Sequence, residues 1–195
     1  MEANLAQRTD DELVGLFKAG SGEAFETLVL RYKNQLYQYI MGMVQDEGAA
    51  GDLFQEVFLA FFKHADRYEA RGKFKSWLFL TARNKVLNFF RDHGQLSSLD
   101  QTDEDGNEFL HETLPDGGRP LLDELTGRET LEQIRRAALK LSPSQREIVY
   151  LRQYMSFKEI SQLLERPLGT VLADCHRAVK KLQQLLAEHT EEVNL

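Results

Sequence analysis

Between His93 and Thr126 the chain carries the runs Asp103-Glu104-Asp105-Gly106-Asn107 and Leu114-Pro115-Asp116-Gly117-Gly118-Arg119-Pro120. Glycine and proline break helices, the like charges repel, and few apolar residues are present to offset the entropy of ordering such a segment. A flexible tether is expected there. That expectation constrains the whole chain, because the 195 residues must then find their cores separately on its two sides. On both sides apolar residues recur at intervals of three and four, the period of a helix buried along one face. The expected fold class is all-α: two small helical domains, residues 1–92 and 127–195, joined by a flexible acidic linker over 93–126.

The first 92 residues read as four helices with short connections. Asp10 is placed to cap a short helix bearing Leu13, Leu16 and Phe17, and Gly20-Ser21-Gly22 ends it. Phe25, Leu28, Val29, Tyr32, Leu36, Ile40 and Met43 then mark one buried face over about five turns. After a break at Gly48 to Gly51, a third helix carries Leu53, Val57, Phe61 and Ala65 inward. A fourth runs from about Lys73 to Asp92.

Beyond the tether, periodicity resumes at Leu131, Ile134, Ala138 and Leu139 and stops at Ser142-Pro143. It returns through Ile148, Val149 and Leu151. A short segment with Phe157, Ile160, Leu163 and Leu164 turns through Glu165-Arg166-Pro167 into a last helix with Val171, Cys175, Ala178, Leu182 and Leu185 on one face. Two helices joined by a short turn, the second longer, form a helix-turn-helix pattern.

Apolar content of 42% and charged content of 28% are ordinary for a soluble globular chain. The opening residues are too polar for a signal peptide and no apolar run approaches a membrane span, so a cytoplasmic protein without membrane insertion is expected. One cysteine, Cys175, excludes an intramolecular disulfide. It shares the apolar face of its helix with Val171 and Ala178 and is expected in the core. The five histidines group with no carboxylate or cysteine at a metal-ligand spacing, and no acid-base pair or phosphate loop stands out. No metal, cofactor or catalytic residue is expected.

Taken whole, a net charge of −7 argues against a nucleic-acid partner. Divided by segment, it does not. Residues 1–92 hold 12 basic and 13 acidic side chains, 93–126 hold 1 and 9, and 127–195 hold 11 and 9. The acidity belongs to the middle, while residues 63–91 hold eight Lys/Arg against Asp66 and Glu69. The local field there is positive. Within Asp52 to Arg91 an acidic, Phe-rich helix thus stands beside a basic-aromatic one, a pairing suited to an adaptor between a protein and a nucleic acid.

Three motifs stand in order: Asp52-Leu53-Phe54-Gln55-Glu56-Val57-Phe58-Leu59; Lys73-Phe74-Lys75-Ser76-Trp77-Leu78 through Ala82-Arg83-Asn84; and Leu141-Ser142-Pro143-Ser144-Gln145-Arg146-Glu147 through Glu159-Ile160 to Gly169-Thr170-Val171. In order and spacing they resemble the extracytoplasmic-function group of bacterial sigma factors, over nearly the whole chain. The resemblance implies a transcription initiation factor, not an enzyme, that binds core RNA polymerase and directs it to promoters. Its implied partners are the polymerase beta-prime clamp and beta flap, promoter DNA and an anti-sigma factor.

The resemblance also implies roles for residues. Asp52, Gln55, Glu56 and Phe58 would bind the clamp, carboxylates meeting basic side chains around an apolar anchor. The loop Ala65 to Gly72 would capture a flipped base of the minus-10 element, with the Tyr68 ring and phosphate partners Arg67, Arg71, Lys73 and Lys75. Trp77 reads as core rather than platform. Arg83, Asn84, Asn88 and Arg91, spaced by three and four, would meet the upstream edge of the minus-10 duplex. The family usually has Asp where Asn88 stands. Separating about ten base pairs costs roughly 1.4 kcal/mol per stacking step, whereas capturing two or three bases returns about 1 to 3 kcal/mol each. Such a chain selects and traps a strand opened together with the polymerase.

For the minus-35 element the resemblance implies Thr170, Ala173, Asp174, His176, Arg177, Lys180 and Lys181. Here the chain departs from the family, which places basic, small and basic residues where Leu172, Ala173 and Asp174 stand. An acid aimed at phosphate repels it, so weakened or altered recognition is expected. Glu165 stands where glycine is usual and would cost about 1 kcal/mol in a left-handed conformation. The acidic segment reads either as a solvated linker or as the piece that threads the polymerase's RNA path. A helix-turn-helix regulator that works without polymerase, or a sigma-like protein that only binds a partner, are the alternatives.

Overall fold

A computed structural model describes residues 5–69, 71–94 and 131–193. The chain divides into two compact units, Met1–Asp92 and His93–Leu195. The described residues of both are helical. The expected acidic tether lies, from residue 95 on, outside the described residues.

The first unit contains α1 (Asp10–Lys18), α2 (Gly22–Val44), α3 (Glu47–His64) and α4 (Phe74–Asp92). The cap of α1 is Thr9 rather than Asp10. Thr9 Oγ1 accepts from the Glu12 N–H at 3.3 Å and the Glu12 carboxylate accepts from the Thr9 N–H at 2.8 Å, a reciprocal capping box. The Thr9 backbone N–H, then the Arg8 guanidinium, hold the Glu12 carboxyl down to about 2. Asp10, released from capping, takes Arg31 Nη1 at 2.5 Å and the Tyr32 hydroxyl, tying α1 to α2.

The α2–α3 junction is also displaced from expectation. Gln45 ends α2 in a left-handed conformation, φ 59°, and Asp46 caps α3 by accepting from the Ala49 N–H at 2.6 Å. Gly48 and Gly51 therefore lie within α3. A cap that satisfies the free N–H groups of the first turn outweighs their low helix propensity.

α2 is the central element, packed on α1, α3 and α4, and α3 packs on α4. Its face buries Leu28, Tyr32, Leu36, Ile40 and Met43 as the period requires. Around it the aromatic rings interlock: Phe61 lies 4.9 Å from Phe74 and 5.7 Å from Phe17, and Tyr39 lies 5.6 Å from Phe79. Edge and tilted ring pairs of this kind add about 0.5–1.5 kcal/mol each beyond the area they bury.

The second unit contains α5 (Leu131–Leu139), α6 (Pro143–Arg152), α7 (Phe157–Leu164) and α8 (Leu168–Val193). α5, α6 and α7 all pack on α8. Ser142 and Ser156 each begin a helix with a capping box, to Gln145 and Glu159, and Pro143 occupies the first turn of α6, where its missing N–H costs nothing. On α5 the buried side chains are Ile134, Ala137 and Ala138, while Leu139 at the C-terminal end is exposed. On α8 the face of Val171, Cys175, Ala178 and Leu182 ends at Leu186 rather than at Leu185, which is half-buried. Successive steps of four along a 3.6-residue turn drift enough to make that exchange.

Candidate polymerase and nucleic-acid interfaces

On α3, Asp52, Gln55 and Glu56 are exposed, whereas Phe58 is only 5% exposed. Phe58 therefore does not offer an anchor to a partner. Its ring lies 6.3 Å from Phe25 and 5.1 Å from Phe54. The apolar surface on that helix belongs instead to Leu59 and Phe62, 52% and 57% exposed. Phe62 is backed by Phe17 and Phe25 at 5.5 and 5.6 Å. The sequence shows apolar residues at 53, 54, 57, 58, 59, 61 and 62, which wrap too far around α3 for period alone to say which two stay outside. Glu56 accepts from Lys85 Nζ of α4 at 2.6 Å, so the acidic face of α3 is joined to the basic face of α4.

After α3 a short 3-10 turn, Ala65–Arg67, leads into the loop before α4. Arg67, Arg71 and Lys73 are exposed and Lys75 is half-buried at the start of α4. Arg71 pairs with Glu69 at the surface. Tyr68 is half-buried, its ring edge-on to Phe61 (6.2 Å), Phe74 (5.9 Å) and Trp77 (6.0 Å). Burial, and after it the negative charges of Asp11 and Asp10, push its hydroxyl up to about 12. Trp77 is half-buried too, stacked on Phe74 at 6.3 Å and 5.6 Å from Phe61, so it is neither wholly core nor a free platform. The half-buried Tyr68 and Trp77 rings thus lie beside exposed basic side chains.

Along α4, Asn84, Asn88 and Arg91 are exposed and Arg83 is half-buried; this face runs on from the loop. The inward face of the helix is Phe74, Leu78, Phe79, Ala82, Val86 and Phe90. Thus the sequence spacing does separate a basic-polar face from a packed one.

In the second unit, α7, the turn and α8 form the helix-turn-helix. Glu165 is left-handed, φ 54°, and its N–H reaches the Ser161 carbonyl. The Arg166 N–H also donates to Ser161 O at 3.1 Å, and Ser161 Oγ returns a bond to Arg166 O at 2.7 Å. Lys180 and Lys181 are exposed on α8; Thr170, Ala173 and His176 are half-buried.

Asp174 is where the structure departs furthest from the expected repulsive acid. It is 4% exposed, and both its oxygens are engaged, one by Arg166 of the turn and the other by Arg177 one turn along α8. Arg166 Nη1 also donates to Ser144 Oγ of α6 at 2.7 Å. The carboxylate is thus neutralised within the unit, and it fastens the turn to two helices. Arg177, expected as a free phosphate partner, is committed to it. Sequence reasoning missed Arg166 as the second partner, because it lies in the turn before α8, where helical spacing does not reach.

Among the described residues no group of three or more His, Cys, Asp and Glu could hold a metal ion. No described helix is long and apolar enough to cross a membrane.

A chain whose described residues are helical, with an acidic-apolar helix beside a basic-aromatic loop in one unit and a helix-turn-helix in the other, has the layout of a two-part transcription factor. Residues 28–95 match Sigma-70 region 2 and residues 131–182 match Sigma-70, region 4. The RNA polymerase sigma-H factor of Pseudomonas aeruginosa is 30% identical over 198 residues, covering 94% of this chain and 99% of that protein. The ECF RNA polymerase sigma factor SigW of Bacillus subtilis is 28% identical, covering 88% and 93%. Among solved structures, CnrH in complex with the cytosolic domain of CnrY has the same fold, with a TM-score of 0.66, 22% identity and coverage of 93% and 99%. The sigma factor RpoE in complex with the anti-sigma factor NepR from Bartonella quintana has a TM-score of 0.63, 23% identity and coverage of 84% and 96%. The chain belongs to the extracytoplasmic-function group of the sigma-70 family of RNA polymerase sigma factors. It is a transcription initiation factor that directs the polymerase to promoters.

Proposed function

We propose that the two units divide promoter recognition between them, the first unit also making the main contact with polymerase. Asp52, Gln55 and Glu56 of α3, with Leu59 and Phe62 as the apolar anchors, dock on the beta-prime clamp. The Ala65 to Gly72 loop, with Lys73 and Lys75, captures a base and its flanking phosphates in the minus-10 element. Arg83, Asn84, Asn88 and Arg91 follow the upstream duplex. The observation that carries this reading is the pair of half-buried rings, Tyr68 and Trp77, with exposed Arg67, Arg71 and Lys73 around them.

In the second unit α8 meets the minus-35 element through Thr170, His176, Lys180 and Lys181, and the unit docks on the beta flap. Enclosure of Asp174 removes the repulsion that its charge alone implied, but it also holds Arg177 back. Each phosphate contact not made removes about one unit of salt-dependent slope, so minus-35 binding is weak and minus-10 capture dominates. The protein acts in the cytoplasm without catalysis of its own. An anti-sigma factor restrains the chain. That CnrH is found in complex with a cytosolic CnrY domain and RpoE with the anti-sigma factor NepR supports that last partner.

The decisive experiment is transcription in vitro with purified core polymerase on a library of genomic fragments. Transcripts that depend on this chain, and that disappear with Tyr68→Ala but persist with Arg177→Ala, are expected. No dependent transcript would favour a sigma-like protein that only binds a partner.

A further inference from the structure

Two side chains of α1 reach across to the loop before α4. Lys18 Nζ donates to the Tyr68 carbonyl at 2.5 Å and lies 3.4 Å from that of Asp66. Asp11 Oδ2 accepts from the Gly72 N–H at 2.7 Å. Gly72 is left-handed, φ 68°, a conformation that aims its N–H without steric cost. These contacts fall 50 and 61 residues apart in sequence, yet they bracket the five residues Tyr68 to Gly72 from the same short helix.

α1 is itself anchored. Asp10 holds Arg31 and Tyr32 of α2, and Arg31 Nη2 donates to the carbonyls of Ala6 and Arg8 at 3.0 and 2.7 Å. A helix fixed on its inner side to α2 therefore presents one cation and one carboxylate to the main chain of the loop. Both partners in the loop are backbone groups, so the bonds act on loop shape and leave the Arg67, Arg71 and Lys73 side chains exposed. Fixing a loop in its binding shape lowers the ordering entropy that binding otherwise costs.

We propose that α1 is a brace for the strand-capturing loop, with Lys18 and Asp11 as positioning residues that pre-set it for the single strand. This rests on the reading of Ala65 to Gly72 as the base-capturing loop. It predicts that residues with no DNA contact of their own control affinity for the melted strand.

The test uses the full chain bound to core polymerase. The probe is a single-stranded oligonucleotide selected from a randomised pool by the wild-type complex. Lys18→Ala and Asp11→Ala are each expected to weaken oligonucleotide binding about tenfold, a step of about 1.4 kcal/mol. Asp11→Asn keeps an oxygen that can accept from Gly72 and should bind nearly as the wild type does. Affinity for polymerase should stay unchanged in all three. Lys18 is exposed, so its variant will fold even if Asp11→Ala does not.

If Lys18→Ala and Asp11→Ala bind the probe as wild type while Tyr68→Ala does not, the brace is refuted and base capture stands. Wild-type binding by Tyr68→Ala would refute base capture itself. A parallel fall in polymerase affinity would show that α1 supports the whole unit rather than the loop, and would also overturn the proposal.

Discussion

Removing the Asp174 carboxylate leaves the guanidiniums of Arg166 and Arg177 facing one another without a counter-charge. Breaking a fully buried pair costs about 3–5 kcal/mol. Because both arginines keep about a fifth of their side-chain surface, solvent screening reduces this, and we expect Asp174→Ala to destabilise the second unit by about 2–3 kcal/mol in urea denaturation. A variant of unchanged stability with tighter DNA binding would restore the repulsive role. Cys175, next to it, is wholly buried, and burial pushes its thiol up to about 12 from an ordinary 9.0. Folding favours the neutral thiol, so its contribution to stability is complete below pH 9.0 and is lost as pH rises toward about 12. Iodoacetamide at neutral pH should therefore label the protein only as fast as it unfolds. The place of Cys175 was legible because its neighbours at 171 and 178 share its apolar face. That of Asp174 was not: the sequence reading aimed its acid at phosphate, and nothing in the spacing showed that Arg166 of the turn and Arg177 enclose it.

Whole helices were legible where an apolar stripe and a stop signal agree. The α2 stripe and the Ser142-Pro143 start of α6 are examples. Ends were less so: Thr9 rather than Asp10 caps α1, because the reciprocal bond from Glu12 favours it, and Asp46 opens α3 ahead of its glycines. The left-handed cap of α7 forms at Glu165 despite the chain's departure from glycine there. Glu165→Gly should relieve about 1 kcal/mol of steric strain, partly offset by the greater freedom glycine gives the unfolded chain, and a small rise in Tm is the expected result. Ser156→Ala, by removing the cap of α7, should lower stability by about 1 kcal/mol. On α3, Leu59→Ser combined with Phe62→Ser should weaken capture of polymerase in a pull-down, whereas Phe58→Ser should mainly destabilise the fold. The two classes of substitution on one helix thereby separate docking from packing.

At the scale of the molecule, each unit encloses its own core, built around α2 in one and α8 in the other. Fragments 1–94 and 131–195 should each unfold cooperatively by circular dichroism, since each carries a set of buried faces of its own. Failure of either to fold alone would show that the division is not an energetic one. The charge segments of the sequence anticipated this two-part layout, because acidity concentrated between two apolar-periodic stretches leaves each to bury itself.

Trp77 is the single tryptophan, and its indole lies within about 6 Å of the Tyr68, Phe61 and Phe74 rings, as their centroid separations of 6.0, 5.6 and 6.3 Å show. A base entering that cluster would quench or shift its emission, and nothing elsewhere in the chain would contribute to a signal excited at the red edge of the indole band. Strand capture as proposed for that cluster would therefore be visible in real time by intrinsic fluorescence, with no dye attached and no residue replaced.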